Sequence, residues 1–309
     1  MSSSPKLIIA VTGGCGDIGL GIVKRALEDG HTVVAIDHIN PDLAHGKLPL
    51  HERITYQQAE LANYDAFLEA VRGCDALVHL AAVYSLQDPK NPDGPLLRDI
   101  PEHVVHNTNT ALSWNALNVA AQLGIKRVAL ASSVNAVGLI FSKHPRLDYL
   151  PLDEAHPCYP EDAYSLCKVA VEQQGATFAR KYPDMRIATI RPHWVVTDEL
   201  GYDPVLLDSL KGAVKDLWGW VTNSALARAF VLSLTVPESQ FPCGHETFFT
   251  VAPTIAQQTS SMELVKKHFP EVTDFRREYK GNEGFYDCSK AERLLGWTER
   301  AFPWTGESA

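Results

Sequence analysis

The stretch AYSLCK, Ala163 to Lys168, sets a tyrosine four residues ahead of a lysine where a helical pattern begins. A phenol can take or give the proton of a carbinol oxygen, the step that must accompany hydride transfer at that carbon. A free phenol titrates at about pH 10 and is a poor base at neutral pH, but a nearby ammonium favours its ionised form. Positions i and i+4 of a helix share a face, so Tyr164 and Lys168 can meet. The chain repeats the spacing in YDCSK, at Tyr286 and Lys290. Spacing does not choose between the two pairs. Their surroundings must.

A second chemical element is VTGGCGDIG, which follows an apolar run and opens a helical one, with Gly13, Gly16 and Gly19 evenly spaced. Gly13 permits a tight turn, Gly16 lets the backbone approach a pyrophosphate, and Gly19 lets a helix pack closely on a sheet. Asp17 and Ile18 lie in the first turn of that helix, whose free amides hold the anion. Asp37 ends the next apolar run. A carboxylate there accepts hydrogen bonds from the adenosine ribose and repels a 2′-phosphate. His38, Ile39 and Asn40 supply no arginine for that phosphate, so NAD is expected over NADP.

The elements that must position these groups alternate along the chain. Strands are expected at 6–13, 31–37, 53–60, 75–82, 126–133 and 185–192, and helices at 17–30, 64–73, up to Gly124, and 161–181. A loop rich in Pro, Asp and Gly is expected at 87–99. Such alternation means a doubly wound α/β fold, a parallel Rossmann sheet covered on both faces. After Pro192 the rhythm changes: 193–212 reads as irregular, 220–234 as a helix, and 235–285 as turns and short strands. This divides the chain into an NAD-binding Rossmann domain, 1–192, with a helix near 213–235 packing back on it. Residues 193–309 are expected to form mainly a small C-terminal substrate lobe.

Bulk properties narrow the partner. The net charge is −9 with no basic cluster, which argues against nucleic acid and anionic membranes and leaves a small molecule. No apolar run reaches membrane-spanning length, and MSSSPK lacks the h-region of a signal peptide. The six cysteines form no C-x-x-C pair, so reduced thiols and a cytoplasmic location are expected. His79 and His156 read as strand and loop residues rather than metal ligands, and no metal is expected.

Taken together, these motifs resemble the extended short-chain dehydrogenase/reductase family, the NAD-dependent epimerase/dehydratase group. Glu60-Leu61 stands where that family carries an adenine-contacting acidic-Leu pair, and HLAA, with Leu80, Ala81 and Ala82, is similar to its strand-four motif. Asn107 stands where the family has a structural and catalytic asparagine. SSVNAVG resembles its serine motif, aligning Ser133 with the catalytic position and setting Asn135 among the substrate contacts, with Val137 replacing a common tyrosine. LDEAHPCYPEDAYSLCK is similar to the block that ends in the family's tyrosine and lysine, and RP at 191–192 and DCSKAERLLGW complete the series.

The resemblance implies roles. Tyr164 is the acid/base, Lys168 tunes it and reaches the nicotinamide ribose, Ser133 binds the substrate oxygen, and Asn107 supports a proton relay. Arg191 belongs with the cofactor contacts, and His193 and Trp194 with the substrate. Tyr286 merely precedes a structural segment. A homodimer through the helices near 101–123 and 161–181 is a family expectation. Trp194 replaces an asparagine of nucleotide-sugar members, and the short crossing to the next helix resembles uronate dehydrogenases. Trp218 and Trp220 stand near enough in sequence to join Trp194 in an aromatic pocket, although core packing is the expected fate of two of the three. Arg277 argues the other way, standing at the spacing of a diphosphate-binding arginine. The expected activity is NAD-dependent hydride transfer at a secondary alcohol or ketone of a small, uronate- or aldose-like compound. A nucleotide-sugar 4-epimerase is the alternative, and a non-enzymatic dinucleotide sensor the third possibility.

Overall fold

The computed structural model describes residues 6–84, 99–198 and 211–299. The loop expected at 87–99 falls almost wholly outside these residues, as does most of the irregular stretch 193–212. The first six strands are β1 Ile8–Thr12, β2 Thr32–Asp37, β3 Ile54–Gln58, β4 Ala76–His79, β5 Arg127–Ala131 and β6 Arg186–Pro192. Two short strands, β7 Val195–Val196 and β8 Val221–Thr222, pair with each other, and β9 Gly244–Thr250 follows. The main sheet runs β3-β2-β1-β4-β5-β6-β9, parallel throughout. The chain reverses its direction of travel across the sheet between β1 and β4, which opens a crevice at the C-terminal ends of those strands.

Burial explains the strand sequences. β4 is buried at all its positions and β6 at all but its last, because helices cover both faces. On the edge, β3 alternates and carries polar Thr55, Gln57 and Gln58. One face is covered by α1 Asp17–Glu28 and, later in the chain, α6 Asn223–Thr235 and α8 Ser289–Leu295. The other is covered by α3 Tyr64–Val71, α4 Glu102–Leu123 and α5 Ala163–Lys181. α1 buries Ile22, Val23, Ala26 and Leu27 as one stripe. Each large side chain so buried contributes roughly 1.5–3 kcal/mol. Two further short helices, α2 Pro41–Lys47 and α7 Ser261–His268, were not legible as helices in the sequence.

Helix ends follow local chemistry. The Asn63 side chain caps α3, and the Asp162 carboxylate caps α5 by accepting from the Ser165 amide at 2.8 Å. The second cap sets the turn that carries Tyr164. α4 stops at Gly124, whose φ of 73° is the left-handed conformation that a helix C-terminus favours.

The lobe is smaller than the expected 193–309. β9 pairs with β6 as the seventh sheet strand, and α6 provides the crossover that a parallel pair requires. Phe248 and α8 residues Ala291 and Leu295 join the core on the α1 side. What remains as a separate cluster is built from Leu147, Leu150, Leu217, Trp218, Phe269, Phe285 and their neighbours. No helix among the described residues is long and apolar enough to cross a membrane.

Candidate active site

Ser133 leaves the C-terminal end of β5 and is buried. Its Oγ accepts from the Asn135 amide at 3.1 Å, and Ser133 lies near enough to the Tyr164 hydroxyl to favour its ionised form. Tyr164 lies in the first turn of α5, with Lys168 one turn on. The Lys168 Nζ donates to the Ala131 carbonyl at 2.8 Å and lies 5.4 Å from the centre of the Tyr164 ring. That bond ties α5 to the strand that delivers Ser133, so the three side chains share one frame. Burial holds the Tyr164 phenol above its ordinary value, and Ser133 works in the opposite direction. Burial also lowers Lys168, while Cys167 and Glu172 support its charge. Burial is thus the leading influence on the Tyr164 phenol and favours its protonated form. Phe141 stands edge-on to the Tyr164 ring at 5.7 Å and is 55% exposed.

Below this trio lies a buried ion pair. Arg191 on β6 grips Glu172 on α5 through Nε and Nη2, both at 2.7 Å, and Ser132 donates to the same carboxylate at 2.6 Å. Burial opposes the Arg191 charge, but the Glu172 hydrogen bonds and charge outweigh it and hold the guanidinium above its ordinary range. Arg191 was expected among the cofactor contacts; the structure instead commits two of its nitrogens to an internal pair that locks α5 onto β5 and β6.

The glycine turn follows β1 as expected. Gly13 takes a φ of 68°, and a Cβ there would meet the Ala81 amide at 3.2 Å, so the turn and the segment after β4 are in contact. At Gly19 a Cβ would strike the Gly13 carbonyl at 2.1 Å, the close helix–turn approach that only glycine allows. A Cβ at exposed Gly16 would meet nothing nearer than 3.4 Å, and no side chain caps α1. Exposed Gly16 and the helix start beyond it, at Asp17 and Ile18, lack a side-chain cap, which fits a dinucleotide pyrophosphate. Buried Asp37 ends β2 and accepts from the Cys15 amide at 3.1 Å and the His38 amide at 2.8 Å. Glu60 is exposed past the end of β3, while Leu61 is buried in the α3-side core.

Two residues passed over by sequence reasoning build the floor between these parts. Thr12 Oγ1 accepts from the Leu80 and Ala81 amides at 3.2 and 3.4 Å, so its proton goes to His79 Nδ1 at 2.8 Å. Burial and the Lys168 charge push His79 down to about 3, which keeps it neutral. Asn109 is buried on α4 and clamps Val83, accepting from its amide at 2.8 Å and donating to its carbonyl at 2.7 Å. The run Leu80–Ala82 is thereby pinned at both ends. Asn107, the expected asparagine, lies two positions earlier on the exposed face, beside His106. A helix turns about 100° per residue, so two positions separate a buried face from an exposed one.

The remaining expectations divide. Asn135 Oδ1 accepts from the Ile140 amide at 3.1 Å, steadying the loop that carries Phe141. His193 is buried with both nitrogens engaged, Nδ1 accepting from the Trp194 amide and Nε2 donating to the Asp216 carbonyl at 2.8 Å. Burial pushes it down to about 4, which keeps the ring neutral. Trp194 is 37% exposed, whereas Trp218 and Trp220 are buried. Tyr286 is buried against His193 and Phe249, and its hydroxyl donates to the Asp216 carbonyl at 2.9 Å. Lys290 goes elsewhere, to Glu246 at 3.1 Å and Glu154 at 3.9 Å. Arg277 donates to the Gly284 carbonyl and covers the Tyr279 ring.

Similarities to known proteins agree with this geometry. The model of the NAD dependent epimerase/dehydratase family matches residues 9–199. Cinnamoyl-CoA reductase 1 of Petunia hybrida is 24% identical over 286 residues, covering 88% of this chain and 80% of that protein. The dTDP-6-deoxy-L-talose 4-dehydrogenase (NAD(+)) of Aggregatibacter actinomycetemcomitans is 27% identical over 212 residues, covering 66% of this chain and 67% of that one. Among solved structures, a mutated uronate dehydrogenase superposes with a TM-score of 0.62 over 95% of this chain and 82% of its own, at 18% identity, a likeness of fold. The chain therefore belongs to the NAD dependent epimerase/dehydratase family, as an enzyme whose cofactor is NAD.

Proposed function

We propose that the protein is an NAD-dependent dehydrogenase/reductase acting on a secondary alcohol or ketone of a small, sugar-like compound of the uronate or aldose kind. The observation that carries this reading is the convergence of Ser133, Tyr164 and Lys168 at the same sheet edge as the glycine turn. Bound NAD supplies the hydride acceptor or donor at its nicotinamide. Ser133 Oγ donates to the substrate oxygen, and Tyr164 moves the proton between its phenol and that oxygen. Lys168 supports the phenolate as it forms and reaches the nicotinamide ribose. Asn109, rather than Asn107, positions the backbone under the nicotinamide end. The sugar-like class draws support from the talose dehydrogenase relative and from the fold likeness to uronate dehydrogenase. Trp194 and Phe141, both exposed near this edge, are the aromatic surfaces offered to a substrate ring.

The epimerase alternative rested on Arg277, which spends its guanidinium on Gly284 and Tyr279 within the lobe. Domain roles follow: the sheet and its helices hold NAD, and the Leu150–Phe285 cluster with the 211–218 segment closes over the substrate. A homodimer through α4 and α5 is part of the proposal, with Trp114 and Leu166 left 45% and 46% exposed on those helices. The test is NADH formation by the purified protein across uronic acids, aldoses and cyclic alcohols, with light scattering for mass. Net NADH from a sugar acid or aldose supports the reading. Interconversion of a nucleotide sugar without net NADH would replace it with the epimerase.

A further inference from the structure

The absence of an arginine after Asp37 leaves the 2′-phosphate of NADP without a cation in sequence. Tertiary structure supplies one from elsewhere. Lys47 is the last residue of α2, a helix not foreseen from the sequence, and its side chain turns back toward the glycine turn. Its Nζ donates to the Cys15 carbonyl at 3.3 Å. The amide of that same residue donates to Asp37 Oδ2 at 3.1 Å. An ammonium and a carboxylate therefore flank Cys15, and both act electrostatically on its thiol. His38, 76% exposed, adds a ring nitrogen 3.1 Å from Asp37 Oδ1. The Tyr56 hydroxyl faces the same strand end but donates to backbone carbonyls of Asp37 and Ile39.

We propose that Lys47 and Asp37 form a two-charge ribose site in which Lys47 receives the 2′-phosphate, so that the protein binds NADP as well as NAD. The inference concerns the cofactor only and stands apart from the identity of the substrate. The Asp37 carboxylate repels a 2′-phosphate, and an ammonium at the same strand end offsets that repulsion. Lys47 is exposed and holds a single carbonyl, so two of its three N–H groups stay available to an incoming anion. Asp37 meanwhile keeps its role toward the unmodified ribose. The same pocket thus carries one recognition group for each cofactor.

The experiment is equilibrium binding of NAD and of NADP to the purified full chain, followed by quenching of its tryptophan fluorescence. Wild type is expected to bind both. Lys47→Ala should raise the ratio of the NADP Kd to the NAD Kd about fivefold or more, with Lys47→Arg restoring it, and the gap should narrow as salt is added. Asp37→Ala should lower the ratio by weakening NAD and strengthening NADP. No measurable NADP binding by wild type, or a ratio unchanged in Lys47→Ala, would overturn the proposal. Failure to bind NAD would remove the cofactor site itself, a result separable from either.

Discussion

The two Tyr-x-x-x-Lys segments are the same in spacing and opposite in construction. At 164–168 both residues stand on one helix, capped by Asp162 so that the tyrosine opens its first turn. The lysine reaches back to the strand that carries Ser133, and the phenol meets Ser133 at the open edge of the sheet. At 286–290 the tyrosine precedes the helix start at Ser289, so the pair shares no helical face. Its phenol is buried inside the lobe, bonded to the Asp216 carbonyl, and its lysine turns outward to Glu246. An i,i+4 spacing confers chemistry only when one helix holds both groups and a strand end delivers the third.

Tyr164→Phe should break the comparison most forcefully. Losing the acid/base should lower kcat by about 10²- to 10⁴-fold, read by steady-state kinetics on whichever substrate turns over. Because burial raises the Tyr164 pKa, ketone reduction should be favoured at neutral pH and alcohol oxidation should climb as pH rises. An oxidation rate flat with pH would place the proton elsewhere. Glu172→Ala comes next: it strands the buried Arg191 charge and should cost about 3–5 kcal/mol in chemical denaturation. The frame of the first pair should then loosen while that of the second stays intact.

Acid should act on both regions through their buried histidines. His79 and His193 are held near 3 and 4, below the unfolded value of about 6.5. The unfolded chain therefore binds protons that the folded chain refuses, so stability is full above pH 6.5 and is lost as pH falls toward those values. By pH 5 each histidine should have cost about 2 kcal/mol, measurable as a falling urea midpoint. Tyr286→Phe is expected to be milder, losing one bond of about 0.5–1.5 kcal/mol with kcat within about threefold of wild type. Smallest of all is Lys290→Met, whose nearer carboxylate partner, Glu246, is partly solvated, at about 0–1 kcal/mol. A large kcat loss in either variant would end the distinction between the pairs.

Much of this was readable beforehand because it is local. The six strands before Pro192, the glycine-terminated helices and the turn at Gly13–Gly19 depend on near neighbours along the chain. The helix carrying Tyr164 and Lys168 is likewise a matter of periodicity and capping. What failed did so for non-local reasons. β9 was hidden because its place beside β6 depends on a crossover through α6. Arg191 reads as a cofactor contact, and only the fold shows that Glu172, on another element, holds two of its nitrogens. Asn107 and Asn109 sit on the same helix, and only the packing of that helix against Val83 and Cys167 tells which one faces inward.

By itself, then, the sequence determined the fold class, the dinucleotide turn and the candidate acid/base pair, since each is set by periodicity, glycine conformation and spacing within a single element. Tertiary structure alone decided which asparagine holds the floor, which carboxylate Arg191 grips, and that Lys47 returns to the edge where Asp37 stands. Those are encounters between residues on different elements, and the energy that selects them comes from burial and charge in three dimensions, which no window along the chain contains.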